Sequence, residues 1–439
     1  MQEIAEKTFD DLVVQYLGKK LPDELAASVS MSKLSDEAKG FTLRMLSIMK
    51  RSEYSVTEFN PHLIHWLSVT VPSSLPGAWG GRIPPLTLPG RHKKLDNYVA
   101  NLALRSGEQP LLYLDVGCGF PPVTTADTAN KLQNWHVYGI DHLFADYVLY
   151  DIDGHYACFD HEGMFLYFQG LMNDSGRALY ADPKATRNRF NVIFEDLHSL
   201  LKKSNGTESE TVERDGKKLI HHHIRDFETN NLTFITTDFS ELKLQPIKVI
   251  RCMNVLIYYE PVIREKLLRQ AAELLDKDGI LIAGTNGLGI QTRYAVYKKN
   301  LDGLKLDEFD FGLDNVGHLV YMPFFSIHEN DPEAMLLAEL TGALRSNQSF
   351  WPDFSNRQDD LLKHFGFCQR RPDGFLDFKN DGMPLGEYFK NNALLWQKMQ
   401  EEGYTDRAVN ALVQSGYDAW KNSVGDIAIR PKKGLVANP

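Results

Sequence analysis

The sequence lacks the segments that direct a chain out of the cell or into a membrane. Its first residues, MQEIAEKTFDDLVVQYL, have no basic flank followed by an apolar core, and no apolar run approaches the roughly 18 residues that span a bilayer. Its four cysteines are scattered without CxxC spacing, which argues against a disulfide framework and a cysteine zinc site. We therefore expect a cytoplasmic protein with no membrane partner.

Basic residues are fewer than acidic residues in this chain. The chain has 48 basic and 58 acidic residues, a net charge of -10 and a pI near 5.8. Nucleic-acid binding rests on clustered Lys and Arg, so we expect no nucleic-acid partner. The one compact basic run, RHKK at 91 to 94, is interpreted as a solvated loop.

A metal site is not expected either. Three consecutive histidines, His221 to His223, are the strongest candidates. Successive residues of a strand point to opposite faces, so only the first and third could share a ligand. No Cys, Asp or Glu pattern typical of a zinc site stands nearby, and a polar edge or loop is the interpretation.

The length of 439 residues, 43% of them hydrophobic, is enough for one large domain with additions. Residues 1–94 show helical spacing and then a Pro/Gly-rich loop, Val71 to Gly90. Residues 95–330 form the predicted core. Residues 331–439 are again predicted to be helical, with an amphipathic helix over Asp406 to Trp420. This region either caps the core or pairs with a partner, so a homodimer is possible.

Within the core, strands alternate with helices, which predicts an α/β fold with a doubly wound, mostly parallel sheet. Three segments alternate in a way that predicts an antiparallel edge: Arg293 to Tyr297, Lys305 to Phe311 and His318 to Ile327. An insertion occupies about 142–231. In it, Arg187 to Leu201 would supply the expected crossover helix and Lys202 to Lys218 a mobile loop. The predicted core strands are Leu111 to Val116, His136 to Ile140, Leu232 to Thr236, Lys248 to Met253 and Ile280 to Thr285.

The first core strand leads into a glycine turn, LLYLDVGCGFPP, and the second ends in an acid, Asp141. Gly117 and Gly119 let the backbone approach a ligand with no Cβ in the way. In the dinucleotide-binding pattern GxGxxG a third glycine allows close helix packing beside a pyrophosphate. Pro122 stands at that position here, which disfavours a pyrophosphate site.

LDVGCG closely resembles the first motif of the class I S-adenosylmethionine-dependent methyltransferases. The resemblance implies that Asp115 meets the methionine ammonium group directly or through water, and that Asp141 accepts the ribose hydroxyls. LTFITTDFSEL resembles the third-strand motif, in which the acid, here Asp238, binds the adenine amino group and the next residue, here Phe239, lies against the ring.

The segment IKVIRCMNVLIYYEPVIREKLLRQAAELLDKDGILIAGTN resembles the fourth strand, helix and fifth strand of the CheR-type chemotaxis-receptor glutamate methyltransferases, whose motif reads approximately CRNVLIYF. Met253 replaces the arginine of that motif, and Gly284-Thr-Asn replaces its usual Gly-His-Ser. The substrate therefore cannot be carried over from that family. The cofactor-binding residues that these resemblances and the turn together predict are Asp115, Gly117, Cys118, Gly119, Asp141, His142, Asp238, Phe239, Cys252, Met253, Asn254 and, from the Pro/Gly loop, Arg82.

These resemblances imply transfer of a methyl group from S-adenosylmethionine to a carboxylate or hydroxyl oxygen of a protein or small molecule. Asn254 and Tyr258 would stand beside the acceptor pocket as the catalytic candidates. The fourth strand ends in NVLIYYE and not in Asp/Asn-Pro-Pro-Tyr, which disfavours planar amide or base nitrogens. Two other functions stay open: a cofactor-binding sensor or scaffold without turnover, and an NAD-dependent oxidoreductase.

Overall fold

The computed structural model describes residues 7–75, 87–102, 110–171, 174–201, 210–244, 246–287, 290–301, 303–329, 331–377 and 383–431. Its strands, in chain order, are β1 Leu111–Val116, β2 Trp135–Asp141, β3 Tyr147–Tyr150, β4 Tyr156–Phe159, β5 Phe165–Gln169, β6 Glu210–Arg214, β7 Lys217–His221, β8 Leu232–Thr236, β9 Ile247–Met253, β10 Leu275–Gly287, β11 Ile290–Asn300, β12 Gly303–Phe311, β13 Gln369–Arg370, β14 Leu376–Asp377, β15 Asp418–Lys421 and β16 Ile427–Arg430.

The α-helices, in the same order, are α1 Phe9–Leu17, α2 Asp23–Ala26, α3 Asp36–Arg51, α4 Pro61–His65, α5 Val71–Ser74, α6 Lys93–Asn101, α7 Val123–Lys131, α8 Asp174–Ala178, α9 Pro183–His198, α10 Pro261–Leu274, α11 Pro332–Ser346, α12 Trp351–His364, α13 Leu385–Glu401 and α14 Tyr404–Gln414. Among the residues described, none of these helices is both long and apolar enough to cross a bilayer.

The main sheet has nine strands in the order β15-β16-β12-β11-β10-β9-β1-β2-β8. The five strands from β8 to β10 are parallel, and β1 has β2 on one side and β9 on the other. The strand order therefore reverses at β1, which confirms the predicted doubly wound α/β fold. In such sheets ligands bind outside the carboxyl ends of the strands at this reversal.

The antiparallel edge differs from the prediction at its outer end. β11 and β12 follow β10 as expected, but His318 to Ile327 forms no strand and contains a short 3-10 helix, Met322–Phe324. The C-terminal strands β16 and β15 complete the edge. Ile427 and Ile429 of β16 are buried and extend the apolar core. The predicted helix over Asp406 to Trp420 is therefore too long, since α14 ends at Gln414 and Trp420 belongs to β15.

The insertion folds as a second sheet, with five antiparallel strands in the order β5-β4-β3-β7-β6. Helix α9 packs its phenylalanines against this sheet, so the prediction that Arg187 to Leu201 covers the main sheet is wrong. Within the predicted mobile loop, residues 210–218 belong to the β6-β7 hairpin. His221 ends β7, which has neighbours on both sides and is therefore not an edge strand, and its ring stacks on Tyr147 at 4.7 Å. His222 and His223 lie in the loop that follows, which agrees with the loop alternative of the prediction.

The N-terminal and C-terminal helices share one core. Side chains of α1 and α3 pack with Phe324, Phe325 and residues of α11. A buried ion pair joins the two regions, because the Arg345 guanidinium donates to both Glu58 carboxylate oxygens at 2.7 and 2.9 Å. The Nδ1 atom of buried His318 lies 3.0 Å from the same carboxylate. These contacts join the N-terminal helices to α11, and together these helices are called the helical layer.

Candidate cofactor-binding site

The glycine turn is fixed by hydrogen bonds to the end of β2. Gly117 and Gly119 have φ angles of 69° and 68°, which side-chain-bearing residues rarely adopt. The amide groups of Gly117 and Cys118 both donate to the Ile140 carbonyl, at 2.9 and 3.1 Å. A Cβ on Gly117 would also lie 2.5 Å from Val255 Cγ2. Only glycine fits this position.

Asp141 stands beside this turn, at the end of the neighbouring strand. Its Oδ2 atom accepts a hydrogen bond from the Gly119 amide at 3.0 Å, and its Oδ1 atom accepts one from Leu143 at 3.4 Å. The His142 ring, which is mostly exposed, places Nδ1 2.9 Å from Oδ1. The carboxylate is only partly exposed, yet it retains acceptor capacity for a hydroxyl group at the edge of the turn.

The third strand of this group, β8, leads to Asp238 and Phe239. Asp238 is exposed and caps a short 3-10 helix, with Oδ1 accepting from the Ser240 amide at 2.7 Å and from its hydroxyl at 2.6 Å. These hydrogen bonds lower the pKa of Asp238. Burial, and then the negative charges of Asp238 and Asp141, raise the pKa of the half-exposed Tyr259.

Asp115 has a different environment from the one that the family resemblance implies. It is 4% exposed, and Arg251 binds both its carboxylate oxygens, through Nε at 2.9 Å and through an Nη atom at 2.6 Å. The Thr125 hydroxyl donates to the same carboxylate at 2.6 Å. A direct contact with an ammonium group finds no support in this geometry, and a contact through water stays a prediction.

Sequence reasoning missed Arg251, which is the centre of a buried charge cluster below the glycine turn. Its Nη1 atom also donates to Asp96 of α6 at 3.0 Å and to Thr128 of α7 at 2.9 Å. One guanidinium thus faces two carboxylates, and the buried groups carry a net negative charge when both carboxylates are ionised. The signal in the sequence was an arginine inside the apolar run IKVIRCM, where a charge is retained only with partners.

The cysteines and Met253 that were predicted to bind the cofactor have buried side chains. Cys118 and Met253 face one apolar cluster and Cys252 faces another. Burial raises the pKa of Cys118 well above its ordinary value and that of Cys252 to about 12, so both thiols are neutral. These residues can offer backbone groups to a ligand at this site, but their side chains belong to the core.

Asn254 joins the carboxyl ends of β9 and β10. It has a left-handed φ of 57°, and its side-chain amide exchanges two hydrogen bonds with the backbone of Asn286: Nδ2 donates to the carbonyl at 3.0 Å and Oδ1 accepts from the amide at 2.7 Å. The predicted catalytic role of Asn254 stays a prediction, because these bonds give it a structural one.

The basic run at 91 to 94 also belongs to this end of the sheet, so its interpretation as a solvated loop is wrong. An Nη atom of Arg91 donates to the Asn286 carbonyl at 2.6 Å, His92 is buried, and Lys94 forms a 2.6 Å ion pair with buried Asp426. Arg91 thereby brings a positive charge to the carboxyl end of β10. Arg82, the other predicted arginine, lies outside the described residues.

Tyr258 follows in the 3-10 turn Leu256–Tyr258 and is half-buried. Burial raises its pKa to about 12, although the nearby Arg91 charge acts in the opposite direction. Its phenol is therefore neutral at physiological pH. It can donate a hydrogen bond to an oxygen of a substrate but cannot serve as a base there.

The insertion contacts the glycine turn directly. The Tyr167 hydroxyl of β5 donates to the Phe120 carbonyl at 2.6 Å. The Phe120 ring packs edge-on against Phe227 at 5.4 Å and His222 at 6.0 Å. The insertion thus packs against Phe120 in the second half of the turn and stabilises it. Only the structure reveals this role.

No family model and no curated protein matches this sequence. Among solved structures, magnesium protoporphyrin IX methyltransferase (ChlM) from Synechocystis PCC 6803, with bound SAM, is 17% identical, and the match covers 44% of this chain and 58% of that chain at a TM-score of 0.21. The plantazolicin methyltransferase BpumL, in complex with SAH, is 13% identical over 55% of this chain and 62% of its own, with a TM-score of 0.22.

A methyltransferase from Clostridium acetobutylicum ATCC 824, which depends on S-adenosylmethionine, is 12% identical over 50% of this chain and 65% of its own, with a TM-score of 0.22. In each of these three comparisons the matched region covers less than two thirds of the solved chain.

Proposed function

We propose that this protein is a methyltransferase that uses S-adenosylmethionine. The observation that carries the proposal is the arrangement at the carboxyl ends of β1, β2 and β8, three neighbouring strands. They bring together a left-handed glycine turn, Asp141 and Asp238. The same three features, in the same chain order, form the motifs through which the sequence resembles class I methyltransferases.

The side chains present fit the cofactor. Gly117 and Gly119 leave the backbone open to close approach, and Asp141 offers carboxylate acceptors to the ribose hydroxyls. Asp238, with its lowered pKa, is ionised and exposed, and would accept from the adenine amino group. The carboxylates of Asp141 and Asp238 favour a cationic ligand over a pyrophosphate. When bound, S-adenosylmethionine would supply an activated methyl group.

The surroundings of Tyr258 favour a carboxylate as the methyl acceptor. A hydroxyl acceptor must lose a proton, and Tyr258, with its pKa of about 12, cannot take it at neutral pH. A carboxylate is already ionised and needs only to be held in place. The Tyr258 hydroxyl as donor and the Arg91 guanidinium nearby would hold such an anion.

A sensor or scaffold without turnover is the second candidate. It is favoured by the hydrogen bonds of Asn254 and Asp115, since a predicted catalytic residue and a predicted cofactor-binding residue both have structural partners. In that case the site would bind the cofactor and transfer nothing.

Two measurements separate these functions. Calorimetric titration of the full chain with S-adenosylhomocysteine and with NAD tests the ligand class, and binding to NAD alone would overturn the proposal in favour of an oxidoreductase. Incubation with S-adenosylmethionine labelled in the methyl group and a cell extract tests turnover. We expect labelled product that is lost in Asp141→Ala, whereas cofactor binding without any labelled product would favour the scaffold.

A further inference from the structure

An aromatic surface lies next to Tyr258. The Phe325 ring is buried and contacts both Tyr258 and Trp66, with ring centroids 6.4 Å apart in each case. Trp66 in turn packs on Tyr321 at 5.9 Å. Tyr258, Trp66 and Tyr321 are each half-buried, so each residue retains some exposed area.

Two buried polar side chains of β11 hold the segment that carries Tyr321 and Phe325. Gln291 has a left-handed φ of 51°, unusual for a residue other than glycine, and its Oε1 atom accepts from the amides of Tyr321 and Met322, both at 3.0 Å. The fully buried Arg293 guanidinium donates to the carbonyls of Pro323 at 3.1 Å and Phe325 at 3.2 Å. The left-handed backbone of Gln291 and the buried charge of Arg293 both cost free energy of folding. Proteins retain such features where a precise local arrangement is needed.

This surface lies beside the carboxyl ends of β9, which is a neighbour of β1, and of β10, the next strand in the sheet. Met322 packs over Gly287, where an added Cβ would clash with Met322 Cγ. Gly287 directly follows Asn286, the residue that Asn254 clamps to the end of β9. Trp66 begins a π-helical turn, Trp66–Thr70, a local irregularity that is frequent at functional sites. The rings thus lie beside the proposed methyl-transfer site.

We propose that the acceptor is a small aromatic carboxylic acid whose planar ring packs on Trp66 and Tyr321 and whose carboxylate meets Tyr258. This inference rests on the proposed methyltransferase function and narrows its acceptor. Half-buried aromatic rings bind planar apolar groups through area and ring geometry, and the neutral phenol of Tyr258 donates to the anion. A glutamate side chain of a protein, the acceptor class of the family that the fourth strand resembles, has no ring to fill this surface.

The chemical step balances without a proton acceptor. A lone pair of the carboxylate oxygen forms the new oxygen–methyl bond while the sulfur–methyl bond breaks and its electron pair stays on sulfur. The negative charge of the acid and the positive charge of the sulfonium disappear together. The products are a methyl ester and S-adenosylhomocysteine, and no base is required at Tyr258.

The test uses the full chain loaded with S-adenosylhomocysteine and titrated with 2-naphthoate, with cyclohexanecarboxylate as the non-aromatic comparison. We expect saturable binding of 2-naphthoate and binding of cyclohexanecarboxylate that is about tenfold weaker. Trp66→Ala should weaken 2-naphthoate binding about tenfold and leave S-adenosylhomocysteine affinity within about twofold. Trp420→Ala, at the far edge strand β15, is the matched control and should change neither.

If Trp66→Ala fails to fold, as judged by circular dichroism, Tyr321→Leu takes its place with the same expectation. Transfer is measured with methyl-labelled cofactor and 2-naphthoate, and the label in an ester is released as methanol by alkali. Three results would overturn the inference: no saturable 2-naphthoate binding, equal effects of the Trp66 and Trp420 changes, or binding without transfer. Failure to bind S-adenosylhomocysteine would refute the proposed function itself.

Discussion

Replacement of Arg251 by methionine tests the charge cluster under the glycine turn. The Arg251 side chain is fully buried and donates four hydrogen bonds of 2.6 to 3.0 Å, two to Asp115, one to Asp96 and one to Thr128. Methionine fills much of the volume but leaves two buried carboxylates facing each other without a cation. Loss of one partner of a buried ion pair costs about 3 to 5 kcal/mol, and we expect Arg251→Met to lose this much stability.

Urea unfolding at pH 7, followed by far-ultraviolet circular dichroism, measures the loss as a shift of the transition midpoint. Arg251→Lys should lose less, because an ammonium keeps the charge but cannot bind Asp115 through two parallel hydrogen bonds. Adding Asp115→Asn to Arg251→Met should restore part of the stability by removing one buried charge. A loss below about 1 kcal/mol for Arg251→Met, the value typical of a screened surface pair, would refute the reasoning.

Three further perturbations address the site and the helical layer. Asp141→Ala should weaken S-adenosylhomocysteine binding by about 1 to 3 kcal/mol in calorimetry, because bound hydroxyls lose a charged acceptor; unchanged affinity would move the ribose site elsewhere. Tyr167→Phe should weaken S-adenosylhomocysteine binding severalfold with little change in the thermal unfolding midpoint, because only the hydrogen bond to the Phe120 carbonyl is lost. An unaltered affinity would make that hydrogen bond irrelevant to the site.

The third perturbation concerns pH and Glu58. Burial alone would raise the pKa of Glu58, but the charges of Arg345 and His318 outweigh it and hold the pKa at about 2, against an ordinary value of 4.5. The stability that this depressed pKa provides is fully present above pH 4.5 and is lost as the pH falls towards 2. Unfolding midpoints should therefore fall more steeply over this range in the wild type than in Glu58→Gln. Parallel profiles would contradict this assignment.

Much of the candidate cofactor-binding site follows from local sequence. A strand, a left-handed turn and a strand-ending acid are short-range patterns, so the sequence predicts Gly117, Gly119 and Asp141 together with the boundaries of β1 and β8. Asp238 follows from the same kind of pattern. Their side-by-side placement then results from the parallel sheet, in which the carboxyl ends of neighbouring strands share one edge.

The sequence could not reveal which partner each polar group would choose. The sequence pattern predicts that Asp115 binds a ligand, but in the structure Asp115 binds Arg251. Arg251 is distant in the chain and reaches Asp115 only because β9 pairs with β1. The aromatic surface is similar, since Trp66 and Tyr321 belong to separate regions that meet through the shared helical core. The insertion and the C-terminal strands also needed tertiary information, because apolar alternation shows that a segment is a strand but not which sheet edge it extends. Local periodicity therefore determined the α/β core and the glycine turn of this protein, whereas long-range packing decided the charge partners, the second sheet and the surface beside Tyr258.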